Sequence, residues 1–131
     1  MIISNHTGEL TVNSQDYSRA GGRISGSYYY QAYEVRVATT GTYYFTTSST
    51  IPDTYGYLYQ GNFYPSHPSY NMNTQDDDSA HNRQFKLTAT LRSDITYILV
   101  FTTYNERLTG SFNIVASGPD DAFLKPIQIK T

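Results

Sequence analysis

The chain has 131 residues, a formal net charge of −2 with 15% of its residues charged, and 14 tyrosines but no cysteine or tryptophan. That length makes one domain with a core that needs no disulfide staples, and a charge-poor, slightly acidic composition excludes the basic patch that nucleic-acid phosphates demand. The longest apolar run, residues 97–101, is far short of a membrane span, and Met1-Ile2-Ile3 is too short for the apolar region of a signal peptide.

Residues 9–12 form a short strand candidate. Residues 16–27, rich in Gly, Ser and Arg and broken by Gly21-Gly22, read as a loop. Residues 28–37 form a long strand in which Tyr33, Val35 and Val37 alternate with Glu34 and Arg36, so the odd positions face the core. Thr40-Gly41 reads as a tight turn into a strand over 42–48, which makes this pair the clearest hairpin in the sequence. Residues 55–60 form the next strand. A long polar loop over 61–74, with Pro65 and Pro68, leads into an acidic run. Residues 84–91 alternate through Phe85, Leu87, Ala89 and Leu91. Residues 96–103 are apolar on both faces and therefore belong at the centre of a sheet covered on both sides. Residues 111–116 alternate through Phe112, Ile114 and Ala116. Beyond the breaker Gly118-Pro119-Asp120-Asp121, residues 123–130 add a last strand, which Pro126 confines to an edge.

No stretch shows helical apolar spacing. About eight strands at regular spacing predict an all-β fold, an antiparallel β-sandwich of jelly-roll-like size in a single module. The predicted core is Val35, Val37, Phe45, Leu58, Phe85, Leu87, Leu99, Phe101, Phe112 and Ile114.

The chemistry concentrates in the run Gln75-Asp76-Asp77-Asp78-Ser79. Three adjacent carboxylates repel each other, and either hydration or a bound cation offsets that repulsion. Calcium takes six to eight hard oxygen ligands from carboxylates, carbonyls and amides. Asp76, Asp77 and Asp78 would supply them together with Asp53, if the fold brings Asp53 close, and Asn71, Asn73 and Asn82 stand nearby in sequence. The other reading is a solvated acidic turn.

An enzyme is not expected. His6, His67 and His81 are far apart, without the close ligand pair of a zinc site. No serine sits in a Gly-x-Ser-x-Gly setting, and adjacent aspartates on an exposed loop are poorly placed for a burial-shifted general acid. Tyr28, Tyr30, Tyr55 and Tyr57 offer a stacking surface for carbohydrate or collagen, or else ordinary cross-strand packing. Asn5-His6-Thr7 is an N-glycosylation sequon and makes Asn5 the candidate glycan site. The absence of cysteine fits a cytosolic protein and an extracellular module equally.

Several segments in order carry a resemblance: Gly8-Glu9-Leu10-Thr11, Tyr28-Tyr29-Tyr30, Thr40-Gly41-Thr42-Tyr43, Asp53-Thr54-Tyr55-Gly56-Tyr57-Leu58-Tyr59, Asp76-Asp77-Asp78-Ser79, Thr96-Tyr97-Ile98-Leu99-Val100 and Gly110-Ser111-Phe112. Over residues 8–119 the chain resembles the bacterial pre-peptidase C-terminal domain, and more closely the tandem modules of large secreted proteins of small aquatic animals. The resemblance implies a secreted, non-catalytic β-sandwich, with calcium among the ligands of its collagen-binding relatives. Those relatives draw calcium ligands partly from an N-terminal linker; here Asn13, Gln15 and Asp16 stand without a run of glutamates. Where the animal modules place a proline after the arginine of the early loop, Arg19 is followed by Ala20.

Two functional expectations follow. The first is a structural extracellular module, one repeat of an adhesive or fibre-forming secreted protein. Its partners are neighbouring copies, met through the strand-like ends at 1–7 and 120–131. The second is a carbohydrate- or collagen-binding accessory module of a secreted hydrolase. Residues 123–130 either fold back on their own sandwich or complete the sheet of the next copy.

Overall fold

The computed structural model describes residues 1–23, 25–77 and 83–129. Ten strands appear: β1 (Ile2–Leu10), β2 (Gln15–Tyr17), β3 (Tyr28–Val37), β4 (Gly41–Ser49), β5 (Thr54–Gln60), β6 (Met72–Asp76), β7 (Lys86–Leu91), β8 (Tyr97–Thr103), β9 (Gly110–Gly118) and β10 (Ala122–Ile127). One sheet has the order β1-β9-β4-β7 and the other β10-β3-β8-β5-β6, with the short β2 beside the start of β3. Every pairing is antiparallel. This is the expected all-β antiparallel sandwich. Strands β3, β5 and β8 fall within a residue of their predicted bounds.

Three expectations are corrected. The first strand runs Ile2–Leu10 rather than 9–12, and Val12 is exposed. Ser4, His6 and Gly8 occupy the inward positions of β1, so no apolar period marks it; an unbroken ladder to β9 holds it in place. β2 and β6 lie in segments read as loops, because three and five residues of mixed polarity give no alternation to detect. The predicted hairpin over 28–48 does not form: β3 pairs with β8 and β10, while β4 pairs with β7 and β9. The chain instead crosses between sheets at residues 38–40. As hairpin partners, Val35, Val37, Tyr43 and Phe45 would line one face. In opposing sheets they form both walls of the core, where all four are buried.

All ten predicted core residues are buried, and all belong to the inter-sheet cluster. Phe101 and Phe112 stack across it at a centroid distance of 3.7 Å. Gly56 is part of the same packing: a Cβ there would sit 2.5 Å from the Phe85 ring, so β5 can approach β7 only because this residue has no side chain.

A second buried cluster lies on the outer face of the larger sheet. Tyr28, Tyr30 and Ala32 of β3, Tyr57 and Tyr59 of β5, and Ile98 and Val100 of β8 are joined by Tyr17 of β2 and by Phe63. Residues 17–23 and 25–27 and the segment 61–71 cover it. That cover is why all seven residues of β8 are buried, as its two apolar faces predicted.

β10 closes on its own β3, with Pro126 opposite Tyr33 on the sheet edge. Of the two alternatives for the last segment, the single chain adopts the fold-back.

Candidate functional site

The ladders fix which loops share an end. Ile2 pairs with Gly118 and Thr54 with Thr103, so the strand ends divide into an Ile2 end and an Asp53 end. At the Asp53 end, Gly56 pairs with Asp76, which puts the start of β5 beside the end of β6. Asp53 thus reaches the same end of the same sheet as Asp76 and Asp77. Asp78 and His81 lie outside the described residues.

A buried polar network anchors this end. The Thr54 hydroxyl accepts from the Phe85 amide at 2.9 Å and lies 3.2 Å from the Thr47 hydroxyl. The Gln84 amide donates to the Ile51 carbonyl at 3.0 Å, and its oxygen accepts from Ser49 at 2.7 Å. Together these tie β5 to the approach to β7. The Asp76 carboxylate accepts from the Lys86 amide at 2.9 Å and so is partly committed to holding β7. Asp53 and Asp77 are half-buried. Among the described residues, no group of three or more His, Cys, Asp or Glu side chains gathers tightly enough to hold a metal. A calcium site here would therefore combine Asp53, Asp76 and Asp77 with backbone and amide oxygens. Those are hard donors of the type calcium takes.

Beside the carboxylates stands a structure that the sequence did not announce. Arg19 is 5% exposed. Two tight turns, closed by the Gly22 amide on the Arg19 carbonyl and the Gly26 amide on the Arg23 carbonyl, fold its loop back over the sheet. Gly21 takes a φ of 78° there, a conformation that glycine adopts without strain. The guanidinium donates to the carbonyls of Thr103 at 3.0 Å, Ala20 at 3.1 Å and Tyr104 at 2.8 Å, and to the Tyr57 hydroxyl at 3.3 Å. Its carbon lies 4.8, 4.5 and 5.2 Å from the ring centres of Tyr28, Tyr55 and Tyr104. Among the described residues, carbonyls, a hydroxyl and ring faces hold this charge, with no carboxylate in ion-pair contact. Arginine suits such a site because its planar, weakly hydrated cation stacks on rings while its donors fork outward.

Tyr57, Tyr55 and Tyr104 form a stack, with centroids 4.7 and 6.5 Å apart and rings within 13° of parallel. Burial raises the Tyr55 hydroxyl above its ordinary pKa; Arg19 opposes that shift, and the nearby carboxylates of Asp77 and Asp76 add to it. The acidic loop and the arginine cage therefore shift one phenol in opposite directions. A groove of about 350 Å³ opens here between Gly22, Arg23, Tyr28, Tyr104 and Glu106.

The four tyrosines read as a stacking surface need correction. Tyr28, Tyr30 and Tyr57 are buried and have no free ring face, and Tyr55 is half-buried within its stack. Within this stack the exposed ring is Tyr104, at 47%; Tyr64 and Tyr70 of the 61–71 segment are exposed as well. Tyr104 lies in a turn where no alternation marked it, and sequence reasoning missed it, as it missed Arg19. Asn5 sits within β1, its side chain exposed and accepting from the Asn113 amide at 3.2 Å. His6 and His67 lie on separate elements, β1 and the 61–71 segment.

Neither a protein-family model nor a curated protein matches this chain. Among solved structures it is similar to the crystal structure of the Yersinia pseudotuberculosis-derived mitogen, at 15% identity over 92% of this chain and 88% of that one, with a TM-score of 0.52. A likeness at that identity concerns the β-sandwich fold alone.

Proposed function

We propose that this chain is a non-catalytic structural module of a secreted, extracellular protein, one repeat of an adhesive or fibre-forming array, stabilised by calcium at its Asp53 end. One observation carries this reading. The terminal strands β1 and β10 occupy the same lateral edge of the sandwich, one in each sheet, with β1 across from β3 and β10 across from β9. Both run from the Ile2 end toward the Asp53 end, so the chain enters at one end and leaves at the other. Copies joined through such ends line up along the strand direction, and contacts of that kind that do not close build filaments. The ordered motifs shared with pre-peptidase C-terminal-like modules support the same reading, as does the exposed sequon at Asn5.

Two copies joined in tandem test the arrangement. Small-angle scattering should give a maximum dimension near twice that of one copy; a compact, side-by-side pair would overturn the linear array. The calcium ligands in this reading are Asp53, Asp76, Asp77 and Asp78. At a 100-fold excess over its dissociation constant, one ion adds about 2.7 kcal/mol of stability, so protein stripped of metal should melt several degrees higher on adding calcium. Asp77→Asn should reduce that gain, with circular dichroism showing the fold retained. Identical melting with calcium and with chelator would remove the ion.

A second reading has its own observation. The exposed Tyr104 ring is backed by Tyr55 and rigidified by Arg19, a platform on which a sugar ring or a collagen proline stacks. Carbohydrate or collagen binding that disappears in Tyr104→Ala would favour an accessory binding module.

A further inference from the structure

The sandwich has four strand edges, and their side chains differ in a way that points to a partner. An open edge offers unpaired N–H and C=O groups, and soluble proteins guard it with lysine, proline, bulges or brevity. β10 carries exposed Lys125 and Pro126. β6 is five residues long, and its pairing with β5 is irregular between Leu58 and Tyr59. β7 carries exposed Lys86, and its first amide is capped by Asp76. β1 has none of these devices. It pairs regularly with β9 over nine residues, holds neither lysine nor proline, and leaves Ile2 and Ile3 at 44% and 61% exposure.

We propose that β1 is the docking edge for a second copy of this chain, the two β1 strands pairing antiparallel about a two-fold axis. The occupant follows from the residues. An antiparallel pairing that keeps each face on its own side must match odd with odd and even with even positions. With Asn5 opposite its own copy, Ile3 falls opposite Thr7 and Ser4 opposite His6. The outer face then pairs amide with amide and β-branched with β-branched residues. On the inner face, hydroxyl meets imidazole, a pair already in contact within one strand at 3.0 Å. Glu9, the one charged side chain in β1, falls outside these matches, so no like charges meet. The neighbours of Ile3 and Thr7 on β9 are Ser117 and Asn113, both neutral. The pairing would join two four-stranded sheets into one of eight, and the contact is isologous and closed. It is lateral and separate from the end-to-end arrangement proposed above, and because a glycan at Asn5 would stand on the two-fold axis, it is the pairing of the chain without that glycan.

The test uses the full chain without a glycan, in sedimentation across a concentration series. The wild type should show a monomer–dimer equilibrium. Ile3→Lys with Thr7→Lys places lysine opposite lysine twice and should raise the dimer dissociation constant by roughly ten-fold or more. Ile3→Lys with Thr7→Glu places opposite charges in the same pairs and should restore dimers. Both positions are exposed, so circular dichroism should show all three chains folded. The chain has no cysteine of its own, and Asn5→Cys should form a disulfide-linked dimer on mild oxidation while Thr88→Cys on β7 should not. A monomer at the highest soluble concentration overturns the proposal. So does a dimer indifferent to the lysines, or a failure of the lysine–glutamate pair to restore it.

Discussion

The two buried clusters of this molecule are sealed by different means, and the residues differ accordingly. The inter-sheet cluster is walled by two sheets whose backbone groups satisfy each other in ladders. Aliphatic residues and phenylalanine dominate it: Val35, Val37, Phe45, Leu58, Phe85, Leu87, Leu99, Phe101, Phe112 and Ile114. The outer cluster has a sheet on one side and irregular chain on the other. Loop carbonyls and amides over an apolar surface need partners that no ladder supplies. Tyrosine supplies them, because its ring fills the space and its hydroxyl reaches the loop. Tyr59 donates to the Pro68 carbonyl at 2.6 Å, Tyr57 donates to the Ala20 carbonyl, and the Tyr28 hydroxyl accepts from the Arg23 amide at 2.9 Å. Inner-cluster tyrosines do the same where the core meets a turn: Tyr43 donates to the Thr39 carbonyl at 2.6 Å, and Tyr97 accepts from the Arg92 amide at 2.9 Å. The high tyrosine content is thus the chemistry of loops laid over sheet.

Alkali should separate the clusters most strongly, because several buried phenols respond together. Burial pushes Tyr30 and Tyr33 up to about 12, with Asp16 adding to the effect on Tyr30. Burial drives Tyr57 and Tyr59 higher still and raises Tyr17 well above its ordinary value. An unfolded tyrosine ionises near 10. Between those values the native chain holds more protons than the unfolded one, so this stabilisation is complete below about pH 10 and is lost as pH rises through about 12. Four of these five phenols belong to the outer cluster. Tyrosinate absorbance should therefore lag behind that of free tyrosine and then rise together with loss of the β-sheet dichroism. Ionisation of every tyrosine near 10, with the fold retained, would contradict the burial described.

Within the inner cluster, Phe112→Ala removes a stacked ring between sheets that relax little, and should cost about 3–5 kcal/mol in denaturant unfolding. A loss below about 1 kcal/mol would mean that the register of β9 is wrong. Arg19→Ala strips the outer cluster's lid of hydrogen bonds from a charged donor and should cost about 2–3 kcal/mol. Arg19→Lys should recover little of it, since an ammonium can neither fork to three carbonyls nor stack flat. Hydrogen exchange should rise first over residues 17–28, while the amides of β4 and β9 keep their protection. The smallest effects have opposite signs. Tyr59→Phe leaves the Pro68 carbonyl without its donor and should cost about 1 kcal/mol. The Tyr17 hydroxyl is buried with no hydrogen-bond partner among the described residues, so Tyr17→Phe should be neutral or stabilise by up to about 1 kcal/mol.

Alternation made the inner cluster legible. Strands β3, β7 and β9 repeat apolar residues at period two, and burying one face leaves a single allowed register. The outer cluster was visible only as tyrosine content and as the two apolar faces of residues 96–103. Tyr28, Tyr30 and Tyr57 read equally well as an exposed stacking surface, because a strand pattern does not say whether a loop will cover its second face. For the candidate site, the acidic loop and Asp53 were apparent from residue type. Arg19 and Tyr104 were not, since each sits in irregular chain: Arg19 meets Tyr57 and Thr103 from strands 38 and 84 residues away in sequence, and Tyr104 meets Tyr55 of β5.

What the sequence by itself determined is the set of strands with strong alternation, the face each turns inward and, through them, an all-β sandwich. Those are consequences of side-chain period and backbone sterics, which act locally. The tertiary structure alone decided that the turn at residues 38–40 crosses between sheets, that polar β1 is a strand, and that two loops fold over the larger sheet to bury an arginine among tyrosines. Each of those depends on which surfaces remain to be covered once the first core has formed, a quantity that no local pattern contains.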